Sequence, residues 1–143
     1  MVFSASENDT IRIATEFSRN LTRGDVVLLD GDLGAGKSVF ARAVIRALAE
    51  DSELDVPSPT FTLVQTYDSK AGEIYHFDLY RLKDPEEIFE LGWEEALSGI
   101  VLVEWPERLG EHLGGYDAKK TKSVRFMLRE DGTREIMIEE GME

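Results

Sequence analysis

Residues 31–38 read GDLGAGKS and match the pattern G-x-x-x-x-G-K-[ST] in full. Chemistry explains each residue type in it. Gly31, Gly34 and Gly36 permit backbone angles and close approaches that a side chain would block. A loop of this kind turns its N–H groups inward, and the helix that follows starts with free donors and the positive end of its dipole. Such a cradle holds phosphates. Lys37 reaches the β- and γ-phosphates, and the Ser38 hydroxyl holds magnesium.

The surroundings are those the motif requires. DVVLLDG (25–31) reads as a short apolar strand before it. KSVFARAVIRALAE (37–50) reads as a helix after it, apolar at Phe40, Val44, Ile45 and Leu48. Upstream, residues 6–21 carry Ile11, Ala14, Phe17 and Leu21 at helical spacing, with Ser6 and Asp9 as a capping box and Gly24 as the stop. Downstream, TFTLVQTYD and EIYHFDLYR flank SKAG as two strands of a hairpin. DPEEIFELG (84–92) has an Asp N-cap, Pro at the first position and Gly past the end, which predicts a helix. Residues 100–104 predict another strand, and SVRFMLREDGTREIMIEE a hairpin turning at Asp131–Gly132. Together these predict an α/β fold of P-loop NTPase type, a single domain over residues 1–143 with a mixed sheet flanked by helices.

A magnesium ion needs more oxygen ligands than Ser38 supplies, commonly waters and a carboxylate at a strand end. Two residues qualify. In EIYHFDLYR, alternation puts Ile74, His76, Asp78 and Tyr80 on one face and Tyr75, Phe77 and Leu79 on the other. Asp78 therefore ends an apolar strand as a Walker B aspartate does, and Glu104 ends the run IVLV in the same way. His76 reads either as a catalytic group or as a packed strand histidine. In VPSPTFTLV (56–64), Pro57 and Pro59 disfavour helix and leave the hydroxyls of Ser58, Thr60 and Thr62 on a short extended segment. A GTPase switch loop occupies this chain position and uses a threonine to sense the γ-phosphate.

Charge limits the partners. Sixteen basic against twenty-nine acidic residues give a net charge of −13, and the one short basic run is KKTK at 119–122. A direct grip on nucleic acid needs a positive surface, so none is expected. An acidic face suits solubility or a basic protein partner. There are no cysteines, hence no disulfide framework or thiolate metal site. The N-terminus MVFSASENDT lacks the basic and apolar regions of a signal peptide, and no stretch has the length of a membrane span. A cytoplasmic protein is expected.

GDLGAGKS, SPTFTLVQTY, YHFDLYRLKDPEE and LVEWPE occur here in the order found in the bacterial TsaE (YjeE-type) proteins, which the chain resembles from about residue 5 to 138. That family supports formation of threonylcarbamoyladenosine at position 37 of tRNAs. The resemblance implies a small ATPase that binds ATP and Mg2+ and drives turnover by the TsaD–TsaB pair, without being the transferase. It implies a phosphate loop over Gly31, Asp32, Leu33, Gly34, Ala35, Gly36, Lys37 and Ser38. It implies magnesium ligands at Ser38 and Glu104, a Walker-type aspartate at Asp78 and a switch-like threonine at Thr60. It further implies nucleotide neighbours at Glu7 and Arg134. The family commonly has threonine where Ser38 stands, and serine keeps the hydroxyl. Trp105 and Pro106 would form a rigid element beside Glu104, suited to reporting nucleotide state. Two rivals remain: a nucleotide-dependent scaffold that does not hydrolyse, and a small-molecule kinase, for whose lid and acceptor site 143 residues leave little room. A GTPase would need N-K-x-D, which is absent.

Overall fold

The computed structural model describes residues 2–32, 34–114 and 120–140. Leu33 of the phosphate loop and Lys119 of the basic run lie outside the described residues. The elements are β1 (Val2–Ser4), α1 (Glu7–Ser18), β2 (Val26–Asp30), α2 (Lys37–Ala49), β3 (Val64–Tyr67), β4 (Ile74–Asp78), α3 (Trp93–Ala96), β5 (Ile100–Glu104), β6 (Thr121–Leu128) and β7 (Arg134–Glu139). Two 3-10 segments, Pro85–Phe89 and Pro106–Gly114, join them. No helix among the described residues is long and apolar enough to cross a membrane.

The strands form one seven-stranded sheet in the order β1-β7-β6-β2-β5-β4-β3. Its centre is parallel, since β2 pairs with both β5 and β6, and β4 pairs with β5. The flanking pairs β3–β4, β6–β7 and β1–β7 are antiparallel. This is the expected mixed sheet flanked by helices. β5 is buried along its whole length, which is why IVLVE reads as an unbroken apolar run with one acid at its end. On one face, Val27, Leu29, Ile74, Ile100 and Leu102 pack under α1 and α2. There Phe40 meets Phe17 and Phe126 with ring centroids 5.5 and 5.3 Å apart. On the other face, Phe77, Val101 and Val103 pack against Ile88, Trp93 and Leu109.

Four expectations need correction. Helix α1 starts as predicted, with Ser6 Oγ accepting from the Asp9 amide at 3.2 Å and Asp9 Oδ2 accepting from the Ala5 amide at 3.0 Å. It ends at Ser18 instead of running to 21, because the Asn20 and Leu21 amides turn back onto the carbonyls of Phe17 and Ser18. Gly24, with φ +94°, serves the next turn by donating to the Gly99 carbonyl at 2.7 Å.

The 84–92 segment keeps its complete capping box at Asp84 and Glu87, yet forms only the 3-10 turn Pro85–Phe89. Ile88 is its one buried side chain and Phe89 is exposed, so too little apolar surface is covered to sustain an α-helix. The one-turn helix α3 follows it and β1 pairs with β7; neither had a sequence signal. Finally, strand β3 begins only at Val64. Residues 60–63 turn instead of extending, with the Leu63 amide donating to the Pro59 carbonyl at 2.7 Å and Leu63 at φ +69°. The Leu63 carbonyl then accepts from the Asp78 amide at 2.9 Å, which ties this turn to the end of β4.

Candidate functional site

Helix α2 begins at Lys37 behind Gly36, whose φ of +108° is open to glycine and costly for other residues. No side chain caps this end, so the first-turn amides remain free to bind an anion. The loop is braced from outside. Arg134 on β7 donates from Nε to the Ala35 carbonyl and from Nη2 to the Gly34 carbonyl, both at 3.0 Å. With these carbonyls engaged by Arg134, the loop has less freedom to flip its peptide units. Gly31 lies against β6, where a Cβ would come within 2.8 Å of the Phe126 carbonyl oxygen.

The sheet brings the two carboxylates together. β4 and β5 run parallel with Asp78 opposite Glu104, and β2 sets Leu29 opposite Glu104 on the other side. Both acids thus end adjacent strands at the carboxyl edge of the sheet, beside the loop that leaves β2, where open α/β sheets bind ligands. Ser38 Oγ donates to Glu104 Oε1 at 3.1 Å. Glu104 Oε2 lies 2.7 Å from His76 Nε2, and both side chains are buried. Asp78 Oδ1 accepts from the Tyr80 amide at 3.1 Å, and Oδ2 accepts from Thr60 Oγ1 at 3.3 Å. Ser58 Oγ and Thr60 Oγ1 are 2.8 Å apart. Burial raises the Asp78 pKa above the ordinary aspartate range and the Glu104 charge adds to this, against the opposing hydrogen bonds from Tyr80 and Thr60.

Lys37 is also buried, and its Nζ has no hydrogen-bond partner among the described residues. It sits over the Trp105 ring, 3.4 Å from the centroid. Burial lowers its pKa, against the attraction of Glu104, Glu107, Asp78 and Asp30. Trp105 adopts φ +60°, which is rare for so bulky a residue, and packs on Tyr80 with centroids 4.9 Å apart.

Most of these groups, but neither His76 nor Tyr80, line one recess of about 250 Å³. Of the residues singled out from the sequence, it unites Gly34, Gly36, Lys37, Ser38, Thr60, Asp78, Glu104 and Arg134. Three loop positions do not line it. Gly31 packs on β6, Ala35 is buried in the core, and Asp32 is exposed, its carbonyl accepting from the Ala35 amide. Glu7 lines a different groove, about 490 Å³ between α1 and α2, which shares Val39 with the recess. Two contributions were not read from the sequence. The contact of Trp105 with the lysine depends on a backbone turn that only the fold imposes. The bond from His76 to Glu104 depends on the register of two strands.

The donor set consists of hydroxyl and carboxylate oxygens, the hard ligands that suit magnesium. Among the described residues, no three His, Cys, Asp or Glu side chains cluster to hold a metal by themselves. Magnesium at NTP sites is commonly held by one or two protein oxygens together with phosphate and water, and Ser38, Glu104 and Asp78 fit that pattern.

The model of the threonylcarbamoyl adenosine biosynthesis protein TsaE matches residues 4–136. The chain belongs to the TsaE family. Its match to the TsaE protein of Rickettsia felis is 48% identical over 108 residues, 75% of this chain and 63% of the relative. With the Rickettsia conorii protein it is 50% identical over 71% of this chain and 58% of the relative, so the matched stretch spans about three-fifths of these two relatives. The Treponema pallidum TsaE protein is 36% identical over 94% of this chain and 96% of its own length. Among solved structures, the crystal structure of Bacillus subtilis YdiB superposes with a TM-score of 0.75 at 26% identity, covering 99% of this chain and 84% of that one. The matched TsaE region reaches from before Glu7 to beyond Arg134 and so contains every candidate site residue named above.

Proposed function

We propose that this TsaE-family chain is a small magnesium-dependent ATPase that supports the TsaD–TsaB pair in forming threonylcarbamoyladenosine on tRNA, in the cytoplasm, without itself transferring the group. The supporting observation is the convergence of Lys37, Ser38, Asp78 and Glu104 at the bare start of α2. In this reading the loop amides and Lys37 hold the phosphates of ATP. Ser38, Glu104 and Asp78 hold magnesium directly or through water. Bound magnesium would neutralise the phosphate oxygens as charge develops on them. Thr60, already bonded to Asp78, carries the state of that site into the 57–63 turn. The groove between α1 and α2, with Glu7 at its wall, receives the nucleoside end. With a net charge of −13, the chain meets tRNA only through its protein partners.

Multiple-turnover ATP hydrolysis, measured with magnesium in the presence and absence of TsaD–TsaB, tests this. Turnover is expected, and Glu104→Gln should lower it much more than it lowers nucleotide affinity, since the loop amides and Lys37 remain. Nucleotide binding without any turnover, alone or with the pair, would establish the scaffold instead.

A further inference from the structure

His76 reaches the candidate metal carboxylate from inside the protein. β4 turns Ile74 and His76 toward the α2 side of the sheet, and the parallel register places His76 beside Leu102, one strand over from Glu104's own face. Its Nε2 lies 2.7 Å from Glu104 Oε2, with the histidine 2% and the glutamate 3% exposed at their side chains. The other ring nitrogen, Nδ1, is buried without a hydrogen-bond partner among the described residues. An ionised carboxylate only accepts, so in this pair Nε2 is the donor. An apolar side chain would fill this core position without an orphan polar atom. Among the described residues, the one hydrogen bond of the His76 side chain goes to Glu104.

We infer that His76 is a positioning residue for Glu104. Holding Oε2 from behind leaves Oε1 one direction, toward Ser38 and the recess, and withdraws the freedom of a flexible glutamate to swing away. His76 does not line the recess and acts only through Glu104. This inference rests on the magnesium reading of the site given above.

The test is equilibrium binding of ADP to the full chain over a magnesium titration, for the wild type, His76→Leu and His76→Gln, each also combined with Glu104→Gln. His76→Phe replaces the leucine variant if that one does not fold. His76→Leu should leave ADP affinity without magnesium within about twofold and raise the half-saturating magnesium concentration about tenfold, the usual scale for a lost partner of a metal ligand. His76→Gln, whose amide can donate from nearly the same place, should recover most of that loss. In the Glu104→Gln background His76→Leu should add less than about twofold. A magnesium-dependent wild type indifferent to His76→Leu overturns the inference alone, as does an equal effect of that change with and without Glu104. A wild type whose ADP binding ignores magnesium overturns the metal reading, and this inference with it.

Discussion

The Lys37 ammonium lies 3.4 Å from the centroid of the Trp105 ring and has no hydrogen-bond partner among the described residues, although the charges of four acids act on it. A cation held over an indole gains about 0.5–2 kcal/mol, which only partly offsets the loss of its hydration. The lysine is therefore stored at a cost that a phosphate can relieve. Lys37→Met should keep the packing and remove the buried charge. The nucleotide-free protein should become more stable by about 1 kcal/mol, raising its melting temperature by roughly 3 °C. Added ADP should then no longer raise the melting temperature. A less stable Lys37→Met protein that still gains stability from ADP would contradict this role.

Trp105 should report the same event. A nucleotide phosphate bound at the loop would draw Lys37 off the indole, so tryptophan emission should change on adding ADP. Trp93, the other tryptophan, is buried and packs edge-on against Phe77 at 5.3 Å, away from the recess. The change should persist in Trp93→Phe and vanish in Trp105→Phe while ADP still binds by calorimetry. Persistence of the signal in Trp105→Phe would assign it elsewhere.

Asp78 should make stability depend on pH in a defined direction. Its folded pKa is raised, first by burial, so the folded protein takes up this proton more readily than the unfolded chain. The Asp78 contribution is fully present below the ordinary aspartate value of about 4 and is lost as pH rises through the raised folded value. Asp78→Asn keeps an oxygen for the Tyr80 amide and an amide for Thr60. In protein free of nucleotide and metal, the variant should be the more stable at pH 7, with the difference shrinking as the pH is lowered toward 4. Paired denaturant titrations at several pH values measure it, and a gap that widens on acidification reverses the sign argued here.

Arg134 should affect affinity more than fold. Its two bonds to the Ala35 and Gly34 carbonyls brace the phosphate loop, and its stem packs by Gly36. Bonds from a charged donor are worth about 1.5–3 kcal/mol each, part of which water restores at a half-exposed position. Arg134→Ala should weaken ADP binding roughly tenfold while the melting temperature falls by only a few degrees. Unchanged affinity would mean that the loop keeps its shape without the arginine.

Much of this was legible in local sequence because the causes are local. The candidate phosphate loop declares itself through glycines and a Lys-Ser pair within eight residues, and β2 and α2 through their apolar spacing. Asp78 and Glu104 stood out because an acid that ends an apolar strand is a break in a short pattern. The 84–92 helix failed where local caps were complete, because what a segment buries depends on its tertiary neighbours: Ile88 is fully buried, and Leu91 reaches the same core only in part. The place of Glu7 in a second groove is likewise a matter of how α1 packs on α2.

By itself the sequence determined the glycine-rich loop between β2 and α2, the α/β class and the identity of the two strand-end carboxylates, since each follows from residue types within a few positions of one another. Tertiary structure alone decided which groups those residues face. The parallel register of β4 on β5 sets Asp78 against Glu104 and brings His76 onto the same carboxylate. The β6–β7 hairpin carries Arg134 to a loop a hundred residues earlier in the chain. A left-handed turn lays Trp105 under Lys37. These contacts join residues far apart in sequence, and their geometry follows from strand pairing and core packing, which no short window of residues contains.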